Sequence, residues 1–229
     1  LKDFLYLDAK SVNGTTLGEE IKNSAKWTQN IITDKSNPVF NAGSIAVLKG
    51  TLAPNSAIIK QSAATESLLI HEGRAVVFEG LEDLANRIDR DDLDVTKDDV
   101  LVLKSIGPKG GPGMPEAGLI PIPKKLAKQG VKDMVRISDG RMSGTASGTI
   151  ILHVTPESYE NGPLAIVENG DLIKLDVPKR KIDLMISEEE IAERLLKRKE
   201  LSIRRRGYNK IYMEHVTQAD RGVDFDFLI

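Results

Sequence analysis

The chain has 229 residues, with 34 acidic side chains, 32 Lys or Arg side chains and a formal net charge of −2. This length can bury a hydrophobic core in one large domain or two small ones, and the balanced charge gives no reason to expect a nucleic-acid partner. No apolar stretch approaches the ~20 residues that span a membrane. Because the chain has no cysteine, it has no disulfide and no thiolate metal ligand of its own.

The N-terminal stretch predicts one short helix and little else. Thr16 and Glu19 have the spacing of a capping box, which predicts a helix that ends near Asn23. Because the chain begins at Leu1 rather than at methionine, we expect a fragment of a longer protein. We therefore interpret residues 1–42 as a segment that crosses over from a missing N-terminal domain, and residues 43–229 as a C-terminal domain.

From residue 43 onward, short apolar runs bounded by Gly, Pro or Asn predict a succession of strands. Amphipathic or capped stretches predict a few helices between them. Many short strands with interspersed helices favour a β-rich α/β fold, closed or nearly closed, with flanking helices. The predicted strands are 44–49, 57–60, 74–78, 100–103, 134–137, 149–154, 164–167, 172–175 and 182–185, and the predicted helices are 81–88, 121–129, 188–199 and 208–218.

A glycine-rich segment at 138–149 places the hydroxyl of Ser143 directly before Gly144. Glycine lets the backbone turn sharply and approach a ligand closely, and the N–H groups of such a loop can hold an anion. A serine needs assistance to act as a base. On the residues alone, a structural Ser-Gly turn is the alternative, and the hydroxyl of Thr145 has the same alternative of bonding to its own turn.

A second glycine- and proline-rich segment at 107–116 ends in the carboxylate of Glu116. The segment lacks the GK[ST] ending of a phosphate-binding loop. A carboxylate after a rigid turn is a plausible ligand for Mg²⁺, which prefers oxygen, although a solvated side chain is the alternative. The stretch from Glu116 to Ser143 has room for one helix and one strand, so we expect both loops at the same end of the domain.

Asp139 and Arg141 precede the serine in the same segment, and we expect them to brace the loop as an ion pair. Alternatively, Arg141 binds a substrate carboxylate. The histidines at 71, 153 and 215 are far apart in sequence, so we expect structural roles for them rather than a metal site.

These two segments resemble those of the dihydroxy-acid and phosphogluconate dehydratase family, and within it the sugar-acid dehydratases that act on arabonate- or xylonate-like substrates. The resemblance covers nearly the whole chain, but only the C-terminal part of such an enzyme. Several further segments carry it in the same order along the chain, and so many ordered matches are far more specific than a lone glycine-rich loop. These segments are 43–60, 73–79, 130–144, 153–157, 175–184 and 214–228.

The resemblance implies a barrel-like swivelling β/β/α domain and a set of site residues. In similar enzymes the serine at the position of Ser143 removes the C2 proton and contacts substrate, and the threonine at the position of Thr145 helps to bind substrate in the sugar-acid branch. The glutamate at the position of Glu116 coordinates Mg²⁺. An iron–sulfur cluster is held by cysteines of the N-terminal domain, so we expect this chain alone to be inactive.

The resemblance therefore predicts a hydro-lyase domain that contributes the serine base and one Mg²⁺ ligand to dehydration of a 2,3-dihydroxy sugar acid. The alternative is a non-catalytic binding or assembly module with the same fold. We expect a cytoplasmic protein that partners its missing N-terminal domain and forms a homo-oligomer, either a dimer or a tetramer, with no nucleic-acid or membrane partner. We interpret the basic residues at 197–199 and 204–206 as a solvated face or a subunit contact.

Overall fold

The computed structural model describes residues 2–25, 29–198 and 206–228. The chain divides into two compact units, Leu1–Gly43 and Ser44–Ile229. The smaller unit contains helix α1 (Leu17–Asn23), and its predicted capping box is confirmed. The backbone N–H of Glu19 donates to Thr16 Oγ1 at 3.3 Å, and the N–H of Thr16 donates to Glu19 Oε2 at 2.8 Å.

The larger unit is built on one eight-stranded mixed sheet. Its strands are β1 (Ala46–Leu48), β2 (Ser56–Ile59), β3 (Ile70–Phe78), β4 (Val100–Leu103), β5 (Arg136–Ser138), β6 (Ile150–Thr155), β7 (Leu172–Asp176) and β8 (Lys181–Leu184). They lie in the order β1-β2-β6-β5-β4-β3-β7-β8. The pairs β3–β4, β4–β5 and β5–β6 are parallel, and the remaining pairs are antiparallel.

The two edges of this sheet approach each other, so the sheet is nearly closed. Lys49, directly after β1, forms a bridge with Lys181 of β8. The N–H of Lys49 donates to the carbonyl of Arg180 at 3.0 Å, and the N–H of Ile182 donates to the carbonyl of Lys49 at 3.3 Å. Closure removes exposed sheet edges. The predicted barrel-like, β-rich α/β fold is confirmed.

Four α-helices accompany the sheet in the described part of the larger unit. They are α2 (Leu81–Arg87), α3 (Lys124–Lys128), α4 (Glu188–Lys197) and α5 (Tyr208–His215). Ala75 and Val77 of β3 belong to the cluster that fills the sheet's interior, whereas Val76 and Phe78 pack with α2 and α3 on the other face. Burial on both faces is why the central strand β4, Val100–Leu103, is continuously apolar. In the described part of the chain, none of the helices has the length and apolar character required to cross a membrane.

One predicted strand is wrong. Residues 164–167 lie largely in the 3₁₀ helix Pro163–Ile166. Proline at the start fixes φ near a helical value and has no N–H for a ladder hydrogen bond, while Leu164 and Ile166 are apolar because they are buried in the core. The predicted helices at 121–129 and 208–218 exist but are shorter. Of the basic residues at 197–199 and 204–206, Lys199, Arg204 and Arg205 lie outside the described residues.

We expect the thermal stability of the larger unit not to depend on a bound metal. Among the described residues, no group of three His, Asp or Glu side chains is placed to hold a metal ion, and the core is aliphatic. We expect the purified chain to be colourless and to unfold cooperatively at the same midpoint with and without EDTA. Thermal melts followed by circular dichroism measure this. A midpoint that falls when chelator is added would show that bound metal contributes to folding.

Candidate active site

Two loops meet at the carboxyl end of neighbouring parallel strands. The loop that follows β4, residues 105–118, is called the glycine-rich loop, and the loop that follows β5, residues 139–149, is called the serine loop. Leu103 and Ser138 are paired in register, so both loops leave the sheet at the same edge, where ligands commonly bind in such sheets. The N–H of Gly118 donates to the carbonyl of Arg141 at 2.7 Å. The prediction that both loops lie at one end of the domain is confirmed.

Ser143 lies at the tip of the serine loop and is half-buried. Its Oγ lies 3.0 Å from Oγ1 of Thr145, which is exposed. The N–H of Ala146 donates to the carbonyl of Ser143 at 3.1 Å, which closes a turn. Lys60, directly after β2, donates from Nζ to the carbonyl of Gly144 at 2.9 Å. The loop therefore presents two adjacent hydroxyl groups at the surface, beside a lysine ammonium group.

The far end of the serine loop is held rigidly. The N–H of Gly148 donates to the carbonyl of Ala63 at 2.8 Å, and the N–H of Thr149 donates to Asp133 Oδ2 at 2.9 Å. Gly148 has a φ of 124°, and a Cβ there would lie 2.0 Å from Nη2 of the buried Arg136. Because only glycine fits this position, the glycine spacing of the motif has a structural basis.

Arg141 joins the two loops through side-chain contacts. Its Nη1 lies 2.8 Å from Glu116 Oε1, and its Nε donates to the carbonyl of Met114 at 2.6 Å. The side chains of Glu116 and Arg141 are 52% and 40% exposed, so the carboxylate is accessible. The expected ion pair between Asp139 and Arg141 is wrong, because the guanidinium pairs with Glu116 instead.

Asp139 braces the glycine-rich loop through backbone hydrogen bonds. Its carboxylate is completely buried. It accepts the N–H groups of Ser105 at 3.2 Å, Ile106 at 3.0 Å and Ser158 at 2.9 Å. Burial raises the pKa of Asp139, and these hydrogen bonds to the charged form oppose that rise. The residue therefore has the bracing role that the sequence indicated, but with different partners.

His153 is strained and incompletely bonded. It lies in β6 with a φ of 52°, where the register of β6 against β2 is irregular. Its buried Nδ1 has no hydrogen-bond partner among the described residues. Burial lowers the pKa of His153, and the positive charge of Arg141 lowers it further. His71 and His215 are hydrogen-bonded, to the carbonyl of Asp98 and the carboxylate of Asp226, both at 2.9 Å.

The sequence analysis missed two residues that hold these loops, Lys60 and Glu157. Lys60 is the last residue of a predicted strand, and nothing in the pattern relates it to the serine loop 84 positions away. Glu157 is completely buried and binds the backbone of the glycine-rich loop. Its place directly after a largely buried strand and Pro156 was the available signal, because such a strand directs the following residue toward the protein interior.

The described residues can supply part of a Mg²⁺ site but not the whole of it. Glu116 offers an accessible carboxylate, and Mg²⁺ is typically held by one or two protein carboxylates together with substrate or water. The described residues contain no cluster that would complete such a site. A pocket of about 420 Å³ lies beside Lys104 and Arg194, and neither Ser143 nor Glu116 lines it. Glu116 and Thr145 are exposed and Ser143 is half-buried, so the candidate site on this chain is accessible to solvent.

Comparison with known proteins identifies the family. Residues 30–223 match the model of the dihydroxy-acid/6-phosphogluconate dehydratase C-terminal domain. A putative dehydratase of Rhizobium meliloti is 50% identical over 100% of this chain and 40% of its own length. An L-arabinonate dehydratase of Rhizobium leguminosarum is 47% identical over 98% of this chain and 39% of its own length. A 6-deoxy-6-sulfo-D-gluconate dehydratase of Pseudomonas putida is 41% identical over 100% of this chain and 40% of its own length.

The chain thus spans about 40% of the length of the curated relatives it matches. The match extends through both loops that the structure brings together. The chain belongs to the dihydroxy-acid/6-phosphogluconate dehydratase family, of which it carries the C-terminal domain.

Proposed function

We propose that this chain is the C-terminal part of a hydro-lyase that converts a 2,3-dihydroxy sugar acid into a 2-keto-3-deoxy acid. The observation that carries the proposal is that the serine loop, with Ser143, lies against the glycine-rich loop, with Glu116. Arg141 of the serine loop joins the two through its contact with Glu116. Elimination of water next to a carboxylate requires a base for the C2 proton and positive charge for the developing negative charge. The two loops supply the base and a ligand for a cation.

Ser143 is the proposed base. Its Oγ, in the deprotonated form, accepts the proton from C2 while the C3–O bond breaks, and the resulting enol tautomerises to the 2-keto acid with net loss of one water. Thr145 lies 3.0 Å from this oxygen, close enough to orient it and to bind a substrate hydroxyl. Lys60 holds the loop through Gly144 and adds positive charge near a group that must be an anion to act.

Glu116 is the proposed Mg²⁺ ligand on this chain, with the other ligands outside it. Bound Mg²⁺ would supply Lewis-acid stabilisation of negative charge on the substrate carboxylate and 2-hydroxyl. An iron–sulfur cluster, for which this chain has no cysteine ligand, would supply a Lewis acid for the departing 3-hydroxyl. This division implies that the chain alone is inactive and that it works with an N-terminal dehydratase domain.

The substrate class is proposed from the serine loop and from the relatives. Thr145 follows Ser143 and Gly144 in a triplet that, by the resemblance, is typical of the sugar-acid branch. The relatives named L-arabinonate and 6-deoxy-6-sulfo-D-gluconate dehydratase act on sugar acids by their names. A dihydroxy-acid dehydratase of Carboxydothermus hydrogenoformans is 41% identical. We therefore place sugar acids before branched dihydroxy acids, and a cytoplasmic homo-oligomer remains part of the proposal.

The test uses the full-length protein that contains this chain, purified without oxygen and supplied with Mg²⁺. Arabonate, xylonate and gluconate are compared with 2,3-dihydroxyisovalerate, and the 2-keto acid product is measured. We expect the highest kcat/KM for a five- or six-carbon sugar acid. Turnover of 2,3-dihydroxyisovalerate alone would contradict the substrate class, and turnover of none of the four acids would favour a non-catalytic binding or assembly module.

A further inference from the structure

The glycine-rich loop adopts an unfavourable backbone conformation that must be stabilised by contacts with the rest of the protein. Ser105 and Met114 have φ values of 63° and 45°, and Gly113 has a φ of 84°. For residues other than glycine, the left-handed region is energetically unfavourable because Cβ crowds the backbone. Such a loop keeps its shape only where the surrounding structure over-determines it. Glu116 lies two residues after Met114, so the position of its carboxylate depends on the contacts that hold this loop.

Glu157 holds the middle of the loop. Its Oε1 accepts the N–H of Lys109 at 2.9 Å, and its Oε2 accepts the N–H of Gly110 at 2.9 Å. A Cβ on Gly107 would lie 2.6 Å from Glu157 Oε2, so the loop backbone is pressed against the carboxylate. Two successive N–H groups that converge on an anion form an anion-binding nest. Here the anion is a side chain of the same chain.

Among the described residues, no cation forms an ion pair with the carboxylate of Glu157. The ammonium group of Lys109 pairs with Glu160 at 2.6 Å. Burial raises the pKa of Glu157, the hydrogen bonds from the loop oppose that rise, and the charge of Asp139 raises it further. A buried, unpaired charge is an expensive way to stabilise a fold, because a well-packed neutral group often does so at lower cost. What the Glu157 carboxylate does well is fix the positions of the backbone N–H groups from which it accepts hydrogen bonds.

Gln218 connects this carboxylate to the C-terminal segment, residues 206–228. Its Nε2 donates to Glu157 Oε1 at 2.6 Å, and the N–H of Glu157 donates to Gln218 Oε1 at 2.8 Å. Both polar atoms of the amide are therefore used on one residue. The position of the glycine-rich loop is thus coupled to the docking of the C-terminal segment.

We infer that Glu157 is a positioning residue for the dehydration: by holding the backbone of Lys109 and Gly110, it fixes the loop that carries Glu116 beside the serine loop. Gln218 supports Glu157 in this role and makes it sensitive to the C-terminal segment. The role rests on the proposed function, because it assigns importance to the place of Glu116. It concerns neither contact with substrate nor proton transfer.

The experiment compares Glu157→Gln with the parent in the full-length protein. An amide keeps the shape but replaces one acceptor oxygen with a donor, which faces a backbone N–H or the Gln218 amide. We expect faster hydrogen exchange in peptides that cover 105–118 and unchanged exchange in β7. We also expect calorimetric Mg²⁺ affinity to fall on the order of 10-fold, the lower end of the range for residues that orient a metal ligand. kcat should fall and partly recover at high Mg²⁺.

Glu160→Gln is the matched control. It removes a carboxylate from the same segment that contacts the Lys109 side chain rather than the loop backbone, so loop exchange and Mg²⁺ affinity should stay at parent values. If Glu157→Gln does not fold, Gln218→Met removes one of the carboxylate's hydrogen bonds and should give a smaller change in the same direction. Parent-like loop exchange and Mg²⁺ affinity in a folded variant would overturn the inference. A parent that binds no Mg²⁺ would overturn the proposed function itself. Hydrogen exchange in the glycine-rich loop tests the role of Glu157 independently of Mg²⁺ binding.

Discussion

Replacing Ser143 with alanine in the full-length protein should lower kcat by ~10²–10⁴-fold, the usual contribution of general-base catalysis. The reason is that the substitution removes the proposed acceptor of the C2 proton and little else. Ser143 lies on a half-buried loop tip, and the loop is anchored elsewhere by Gly148 and Thr149. Turnover is measured together with exchange of the substrate C2 hydrogen with solvent. Both should be lost, while substrate affinity changes far less.

Thr145→Ala is the control for this substitution. It removes the neighbouring hydroxyl at 3.0 Å but leaves the proposed base, so its effect on kcat should be milder and should appear partly in KM. A Ser143→Ala variant with near-normal turnover would assign proton abstraction to another group. A variant that exchanges the C2 hydrogen but does not turn over would place Ser143 after proton removal, at the step that expels the 3-hydroxyl.

The strands were predictable where local pattern and tertiary environment agree. The run Val100–Leu103 is branched, apolar and bounded by polar residues, and it forms β4 at the predicted residues. The run at 164–167 is equally apolar but follows a proline and forms a 3₁₀ helix. Both segments are buried, so hydrophobicity reports burial in each case and does not distinguish their backbone conformations.

The site was predictable in its parts but not in its contacts. The turn chemistry of the serine loop and the carboxylate after Pro115 are local signals, and the structure places both loops at one edge of the sheet. Which acid pairs with Arg141 is a long-range question. Asp139 is nearer in sequence, but its carboxylate is directed into the protein, where it accepts backbone N–H groups. Which residues Glu157 binds is likewise not visible in the sequence, since they are 47 and 48 positions away.

Replacing Glu116 with glutamine should lower Mg²⁺ affinity by at least about 10-fold, since loss of even an outer-shell partner typically costs ~10–100-fold. The amide keeps the shape but removes the charge that a hard cation prefers. The ion pair with Arg141 is largely exposed, so its loss should change stability by less than about 1 kcal/mol. In the full-length protein, kcat at low Mg²⁺ should therefore fall without loss of fold. Activity is measured across a Mg²⁺ series, with affinity measured by calorimetry.

Glu190→Gln is the matched control, because Glu190 also pairs with an arginine, Arg194, at 2.6 Å and is 44% exposed. It lies on α4, far in sequence from both loops, so its Mg²⁺ dependence should equal that of the parent. For Glu116→Gln, partial recovery of activity at high Mg²⁺ separates weakened metal binding from a loss of chemistry, since a misfolded site would not respond to added metal. An Mg²⁺ dependence identical to that of the parent would remove Glu116 from the metal site and leave it as the partner that holds Arg141 between the two loops.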